Sequence, residues 1–274
     1  MNEALKQLGL TSLAQQLPML LDDARQQQLS YEAFLQRALG AEMTGRQERA
    51  LQRRLRAARL PSHTHLATFD YSFQPTLSER LVRELAGLSF VQTATNVIFL
   101  GPPGVGKTHL ASGLAARAIE AGYSALFTTL SQLADDLAAA PHPSLWRQRL
   151  RRYVQPRVLV IDEVGYTRLT PEQAHQLFEL VVARYERGPI LLTSNTSFAE
   201  WGTLLGDDVL ASALLDRLLH HAEVVTINGR SYRMRNRLWS DLPRTKEAGV
   251  QERGQRPSPD EGSQEPTIPG VGQN

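Results

Sequence analysis

Cysteine is absent from all 274 residues. Disulfide scaffolds, thiolate metal sites and a cysteine nucleophile are therefore excluded, and a reducing compartment is compatible with the chain. The sequence also lacks an apolar run near the roughly 20 residues that cross a bilayer, and it shows no basic-then-apolar leader. The expectation is a soluble cytoplasmic protein with no membrane partner. Charge of one sign is not in excess: 30 Lys and Arg stand against 28 Asp and Glu, and a net +2 favours no particular partner. No internal repeat is visible. His220 and His221 are adjacent, so on a helix they diverge by about 100° and cannot chelate one metal from one face. The other close pair, His63 and His65, lies in a proline-bounded connector, and no structural metal is expected.

What is present is an apolar content of 42%, enough for one sizeable core and a small second domain. Residues 1–60 read as helices, with Leu10, Leu13, Leu17, Leu20 and Leu21 in one amphipathic stretch and a longer stretch from Tyr31 to Leu60 that Ser30 would cap. Pro18 is a candidate kink in the first, and Gly40 or Gly45 a candidate break in the second. Late in the second stretch Leu51 and Leu55 fall on one side, while Arg46, Arg49, Arg53 and Arg56 fall on the other. Residues 45–59 hold six arginines and one acid. Arginines at this spacing suit the phosphate backbone of double-stranded DNA and read no sequence, so these four are the candidate DNA contacts. A solvated helix face is the plainer alternative.

Residues 61–75 read as a connector. From 76 to 241 strand and helix alternate, the pattern of a parallel sheet flanked by helices, with strands expected at 96–100, 124–129, 157–161, 189–194 and 222–227. Thr76-Leu77-Ser78-Glu79 fits a capping box. Thr170-Pro171-Glu172-Gln173 is a second helix start, and Gly188 closes that helix. Residues 242–274 are rich in proline, glycine, glutamine and mixed charge and read as a disordered tail.

The chemistry is concentrated in three strand ends. Gly101-Pro102-Pro103-Gly104-Val105-Gly106-Lys107-Thr108 lies between the apolar run Asn96–Leu100 and a helical stretch from Thr108 to Ala121. Its glycines free the backbone to curl around a phosphate chain, and its N–H groups and the helix N-terminus face the anion. Lys107 then reaches the β/γ oxygens and the Thr108 hydroxyl ligates Mg²⁺. Gly101, Pro102, Gly104, Val105, Gly106, Lys107, Thr108 and the following His109 are the candidate nucleotide contacts. Val158-Leu159-Val160-Ile161 delivers Asp162 and Glu163 to a strand end, the first to hold Mg²⁺ and the second to polarise the attacking water. Ile190-Leu191-Leu192-Thr193-Ser194 delivers Asn195 to the γ-phosphate or that water. No Asn-Lys-x-Asp guanine-reading motif occurs, so ATP with Mg²⁺ is the expected cofactor set, and the paired acids favour hydrolysis over transfer. Arg217 follows on a helix, either as a solvated pair with Asp216 or as an arginine finger acting on a neighbouring subunit.

Taken in order, these residues resemble AAA+ ATPases of the DnaA/DnaC-like branch, and within it the IstB-like transposition helpers. The resemblance is carried by Gly101–Thr108, Asp162-Glu163-Val164-Gly165-Tyr166, Arg184-Tyr185-Glu186-Arg187-Gly188, Thr193-Ser194-Asn195, Phe198-Ala199-Glu200-Trp201-Gly202, Leu215-Asp216-Arg217-Leu218-Leu219-His220-His221 and Ser231-Tyr232-Arg233. With Phe69–Pro75 it spans roughly residues 1–240. It implies a three-layer α/β core with a parallel sheet, preceded by a small all-helical N-terminal domain and without a full C-terminal lid, since only 41 residues follow Arg233. It implies that Arg217 acts in trans and that Arg233 is a second nucleotide sensor. Arg230, Arg235 and Arg237 are either further sensors or a DNA-facing patch. It further implies a homo-oligomer that assembles on DNA in its ATP state and presents a target to a transposase. A replicative-helicase loader is the nearest alternative, and a metabolic P-loop kinase or a non-hydrolysing scaffold are alternatives of other classes.

Overall fold

Central strands that are apolar on both faces must be covered on both sides, and that requirement organises the chain. The computed structural model describes residues 1–62 and 65–234. The expected tail at 242–274, the last part of the 76–241 region, Arg235, Arg237 and His63 lie outside the described residues. In chain order the helices are α1 (Asn2–Gln7), α2 (Thr11–Gln26), α3 (Tyr31–Ala58), α4 (Glu79–Ala86), α5 (Ser89–Gln92), α6 (Lys107–Glu120), α7 (Leu130–Ala138), α8 (Pro143–Val154), α9 (Pro171–Arg184), α10 (Trp201–Leu205) and α11 (Asp208–Leu219). The strands are β1 (Asn96–Leu100), β2 (Ala125–Thr129), β3 (Val158–Val164), β4 (Ile190–Ser194) and β5 (Ala222–Thr226). All five expected strands form, within a residue at the start and three at the end. They pair in parallel in the order β2-β3-β4-β1-β5.

Side-chain alternation along the central strands divides the core in two. Ile98, Leu159, Ile161, Ile190 and Leu192 meet α7, α9, α10 and α11 on one face. Val97, Phe99, Val158, Val160 and Leu191 meet α4, α5 and α6 on the other. The result is helix, sheet, helix, the three-layer α/β arrangement.

The N-terminal helices join this core through one element. The first half of α3 packs on α2 around Leu13, Leu17 and Ala38. Its second half carries Leu51, Leu55 and the fully buried Ala58 into the sheet-covering layer. At about 1.5 Å per residue its 28 residues span about 42 Å. Neither candidate glycine breaks it: at Gly45 a side chain would collide with Ser12 of α2, so glycine there serves helix–helix approach. Pro18 likewise sits inside an uninterrupted α2.

Two caps are as the sequence suggests: Ser30 accepts the Ala33 N–H at 3.2 Å, and Thr170 with Gln173 forms a reciprocal capping box. The box expected at Thr76 does not form. Ser78 is the N-cap of α4, accepting the Leu81 N–H at 3.3 Å, while Thr76 Oγ1 donates to the Asn228 carbonyl at 2.7 Å. Thr76 thus ties the connector to the segment after β5. Arg184, 2% exposed, donates to the carbonyls of Tyr153, Val154, Pro156, Arg157 and Pro189 and locks the α8–β3 turn to the start of β4. Burial, with Arg157 nearby, brings its pKa down to about 10, so it stays charged at neutral pH. Among the described residues no helix is long and apolar enough to cross a membrane.

Candidate nucleotide site

Because β4 is inserted between β1 and β3, the loop after β1, the acids of β3 and the polar end of β4 converge on one sheet edge. A cleft of about 240 Å³ opens there. Its floor is the Gly101–Thr108 loop leading into α6. Gly106 stands at φ 102° as the residue before α6, and a side chain on it would come within 2.6 Å of the Phe69 ring. Gly104, at φ 82°, faces Ser231, whose neighbour Tyr232 donates its N–H to the Gly104 carbonyl at 2.9 Å. The loop glycines therefore admit two other chain segments at close range.

Lys107 is buried, and its Nζ donates to the carbonyls of Gly101 at 2.6 Å and Pro102 at 2.8 Å. Burial lowers its pKa, Asp162 opposes that shift and Arg233 adds to it. The Thr108 hydroxyl donates to the Asp162 carboxylate, with the two oxygens at 2.9 and 3.1 Å. Thr193 Oγ1 also donates to Asp162 Oδ1, at 2.5 Å, and it accepts the Glu163 N–H at 3.1 Å. One chain of hydrogen bonds thus links α6, β3 and β4.

Glu163 differs from its neighbours in backbone as well as exposure. The β3–β4 register runs Ile161 to Leu192 and then Val164 to Ser194, so Asp162 and Glu163 together oppose Thr193 alone. This is a β-bulge, and Glu163 sits in it at φ 62°, a region that side chains other than glycine populate at a cost of about 1–3 kcal/mol. An unbroken strand would send Asp162 and Glu163 to opposite faces. The bulge breaks that alternation, so that Asp162 lies buried beneath Thr108 while Glu163 stays exposed and lines the cleft. Asn195 also lines it, with a buried Oδ1 that has no hydrogen-bond partner among the described residues.

The sequence profile of the IstB-like ATP binding protein family matches residues 3–240. The chain belongs to that family. It is 45% identical over 233 residues to the IS21 insertion-sequence ATP-binding protein of Pseudomonas aeruginosa, covering 85% of this chain and 88% of the relative. It is 43% identical over 236 residues to the IS5376 insertion-sequence ATP-binding protein of Geobacillus stearothermophilus, covering 86% and 94%. Among solved structures it is similar to AMPPCP-bound DnaA from Aquifex aeolicus, with a TM-score of 0.50 and 21% identity over 62% of this chain and 51% of that one. It is also similar to DnaI, at 0.50 and 20% over 62% and 90%. At that identity the likeness concerns the AAA+ fold of the core.

In this IstB-like chain the structure brings Pro103, Gly104, Val105, Gly106, Lys107, Thr108, His109, Glu163, Asn195 and Arg233 to one cleft, with Asp162 beneath it. Gly101 and Pro102 supply the carbonyls that hold Lys107. Arg217 is not among the cleft residues. It lies in the last turn of α11 with its guanidinium 5.3 Å from the centre of the Tyr185 ring. The four-arginine stripe of α3 is also divided. Arg46 Nε and Arg49 Nη2 reach Oε1 of the buried Glu42 at 3.0 and 2.9 Å, Arg46 remaining exposed and Arg49 half-buried, while Arg53 and Arg56 are exposed and make no ion pair with Glu42. A carboxylate four residues before Arg46, hidden between α2 and α3, thus pairs with the two N-terminal arginines of the stripe.

Three contributors lie in the segments that carry the resemblance, with no chemical role readable from their residue type and spacing. Thr193 joins Asp162 to the Glu163 amide, and its only signal was its place two residues before Asn195. Phe69 and Tyr232 wall the cleft from segments far apart in sequence, Phe69 tilted against Tyr71 at 5.0 Å and edge-on to His109 at 5.6 Å. No local pattern announces such a pairing.

Proposed function

We propose that the chain is an Mg²⁺-dependent ATP hydrolase that assembles on duplex DNA in its ATP state and presents target DNA to a transposase, acting in the cytoplasm. The observation that supports hydrolysis is the Thr108–Asp162–Thr193–Glu163 chain, which fixes a strained, exposed carboxylate beside a phosphate-cradling loop. The oxygen donors of Thr108 and Asp162 suit a hard divalent cation with a partial water shell, and these two residues would hold it. Bound there, the ion supplies charge neutralisation to the phosphates. Lys107 exchanges its loop carbonyls for phosphate oxygens, and the backbone amides from Gly104 to Thr108 receive the rest. Glu163 takes a proton from the water whose oxygen bonds to the γ-phosphorus as the bond from that phosphorus to the β–γ bridging oxygen breaks and ADP departs, and Asn195 orients that water through the amide it holds at the cleft. Arg233 adds positive charge from the turn that follows β5.

Family membership supports the transposition role, because the relatives named above are ATP-binding proteins of insertion sequences. Exposed Arg53 and Arg56 support contact with the DNA backbone. The test is capture of the full-length protein on duplex DNA, with and without a non-hydrolysable ATP analogue, at low and moderate salt. Nucleotide-dependent binding that weakens steeply with salt is the expected result. Salt-insensitive binding to a replicative helicase without duplex affinity would establish the loader reading instead.

A further inference from the structure

The last turns of α3 and α8 approach each other across the outer edge of β2 and leave a groove of about 790 Å³. Arg56 and Arg59 line it from α3, Arg151 and Arg152 from α8, and Gln148 and Gln155 lie between them. No acidic side chain is among its lining residues. A carboxylate beside the groove, Asp136, is met by Arg152 at 3.6 Å and by Arg149 at 3.7 Å, and it also accepts the Tyr153 hydroxyl at 2.7 Å. One acid with three donors already on it cannot neutralise the four groove arginines. Arg56, Arg59, Arg151 and Arg152 are all exposed. Arg59 moreover stands at φ 57° as the C-cap of α3, a conformation in which glycine is the favoured residue.

Cations in the last turn of a helix also complement its dipole, an effect of about 0.3–1 kcal/mol that falls off within the turn. That role explains one arginine per helix end. It does not explain why two helices from distant parts of the sequence aim their surplus charge into one acid-free groove flanked by neutral amides.

We infer that this groove is a seat for the phosphodiester backbone of duplex DNA, with Arg53 extending it along α3. The inference rests on the DNA-binding reading above and moves the contact surface away from Arg46 and Arg49, which hold Glu42. Two facing rows of guanidinium groups fit successive phosphates better than a single small anion. The amides of Gln148 and Gln155 donate to backbone oxygens without reading bases, so binding here is independent of sequence.

The experiment is fluorescence anisotropy of a labelled mixed-sequence duplex with the full-length protein and a non-hydrolysable ATP analogue, titrated across salt. Arg56→Gln combined with Arg151→Gln is expected to weaken binding at least tenfold and to flatten the log–log salt slope by about 1.8, the value for two lost phosphate contacts. Arg56→Lys with Arg151→Lys retains the charge and is expected to keep the slope. Arg80→Gln with Arg117→Gln, exposed cations outside the groove, is expected to behave as wild type. ATP-analogue binding and the melting temperature report that each variant is folded. A folded Gln pair with the wild-type slope overturns the groove assignment while leaving DNA binding intact. A wild-type protein that does not bind the duplex at low salt overturns the DNA reading and this inference with it.

Discussion

Glu163 concentrates the residue-scale argument, because its backbone is strained, its side chain is exposed and its amide is held by Thr193. Strain kept at this carboxylate fits the proposed role as base, in which direction matters more than local stability. Glu163→Gln retains the shape and hydrogen-bonding capacity but cannot accept a proton. ATP hydrolysis is expected to fall by about 10²-fold or more with nucleotide affinity preserved, as measured by steady-state phosphate release beside equilibrium binding of a fluorescent ATP analogue. Equal turnover in the variant would remove Glu163 from the role of base. Thr193→Val separates position from chemistry: it deletes the bonds to Asp162 and to the Glu163 amide and keeps the volume. Turnover is expected to drop while binding changes little, and an unchanged rate would show that the bulge holds itself. The identity of the acids was legible from four apolar residues ending in Asp-Glu. Their common orientation was not, since simple strand alternation places neighbours on opposite faces and the bulge depends on pairing with β4.

At the scale of elements, the strands were readable because each is a short apolar run bounded by turn residues, and Asn96–Leu100 begins and ends where its composition changes. Helix interruptions were less readable. Glycine in a helical pattern signals a break only when nothing compensates, and at Gly45 the compensation is Ser12 on another helix. Gly45→Leu is expected to separate α2 from α3 and to lower the melting temperature, while ATP-analogue binding at the distant cleft persists. Hydrogen exchange confined to α1–α3 would report that separation, and wild-type protection there would contradict the packing. Glu42 gives the same pair a pH response. The Leu13 N–H, donated at 2.9 Å, is the main cause of its lowered pKa, opposed by burial and aided by Arg46 and Arg49. A carboxylate whose pKa is depressed on folding stabilises above its unfolded value of 4.5 and loses that contribution as pH falls through the lower folded value. Protection of α2 amides is therefore expected to be full at neutral pH and to decline below about pH 4.5, and Glu42→Gln should abolish the pH-dependent part.

At the scale of the molecule the decisive relation is between the two ends of β1. The phosphate loop leaves its C-terminal end. At its first residue, Asn96 donates its side-chain amide to the Leu218 carbonyl at 2.9 Å and its N–H to the His221 carbonyl at 2.8 Å. The last turn of α11, with Arg217, is therefore anchored about 13 Å from the loop along the strand, at about 3.3 Å per residue. Arg217 is exposed, rests on the Tyr185 ring and is absent from the cleft of its own chain. An arginine so placed serves a nucleotide only if that nucleotide belongs to another copy. Two variants test this together. Arg217→Ala leaves the loop, Asp162 and Glu163 intact but removes the donated cation, and Glu163→Gln keeps the cation but disables its own site. Each alone is expected to hydrolyse ATP slowly. Mixed in equal amounts with DNA present, they form interfaces in which an intact site on the Arg217→Ala subunit faces Arg217 of the Glu163→Gln subunit, and turnover is expected to rise above that of either variant. The rise should grow with protein concentration, because it requires assembly. A mixture no faster than its components at any concentration, while both variants still assemble on DNA, would mean that Arg217 does not act across a subunit boundary.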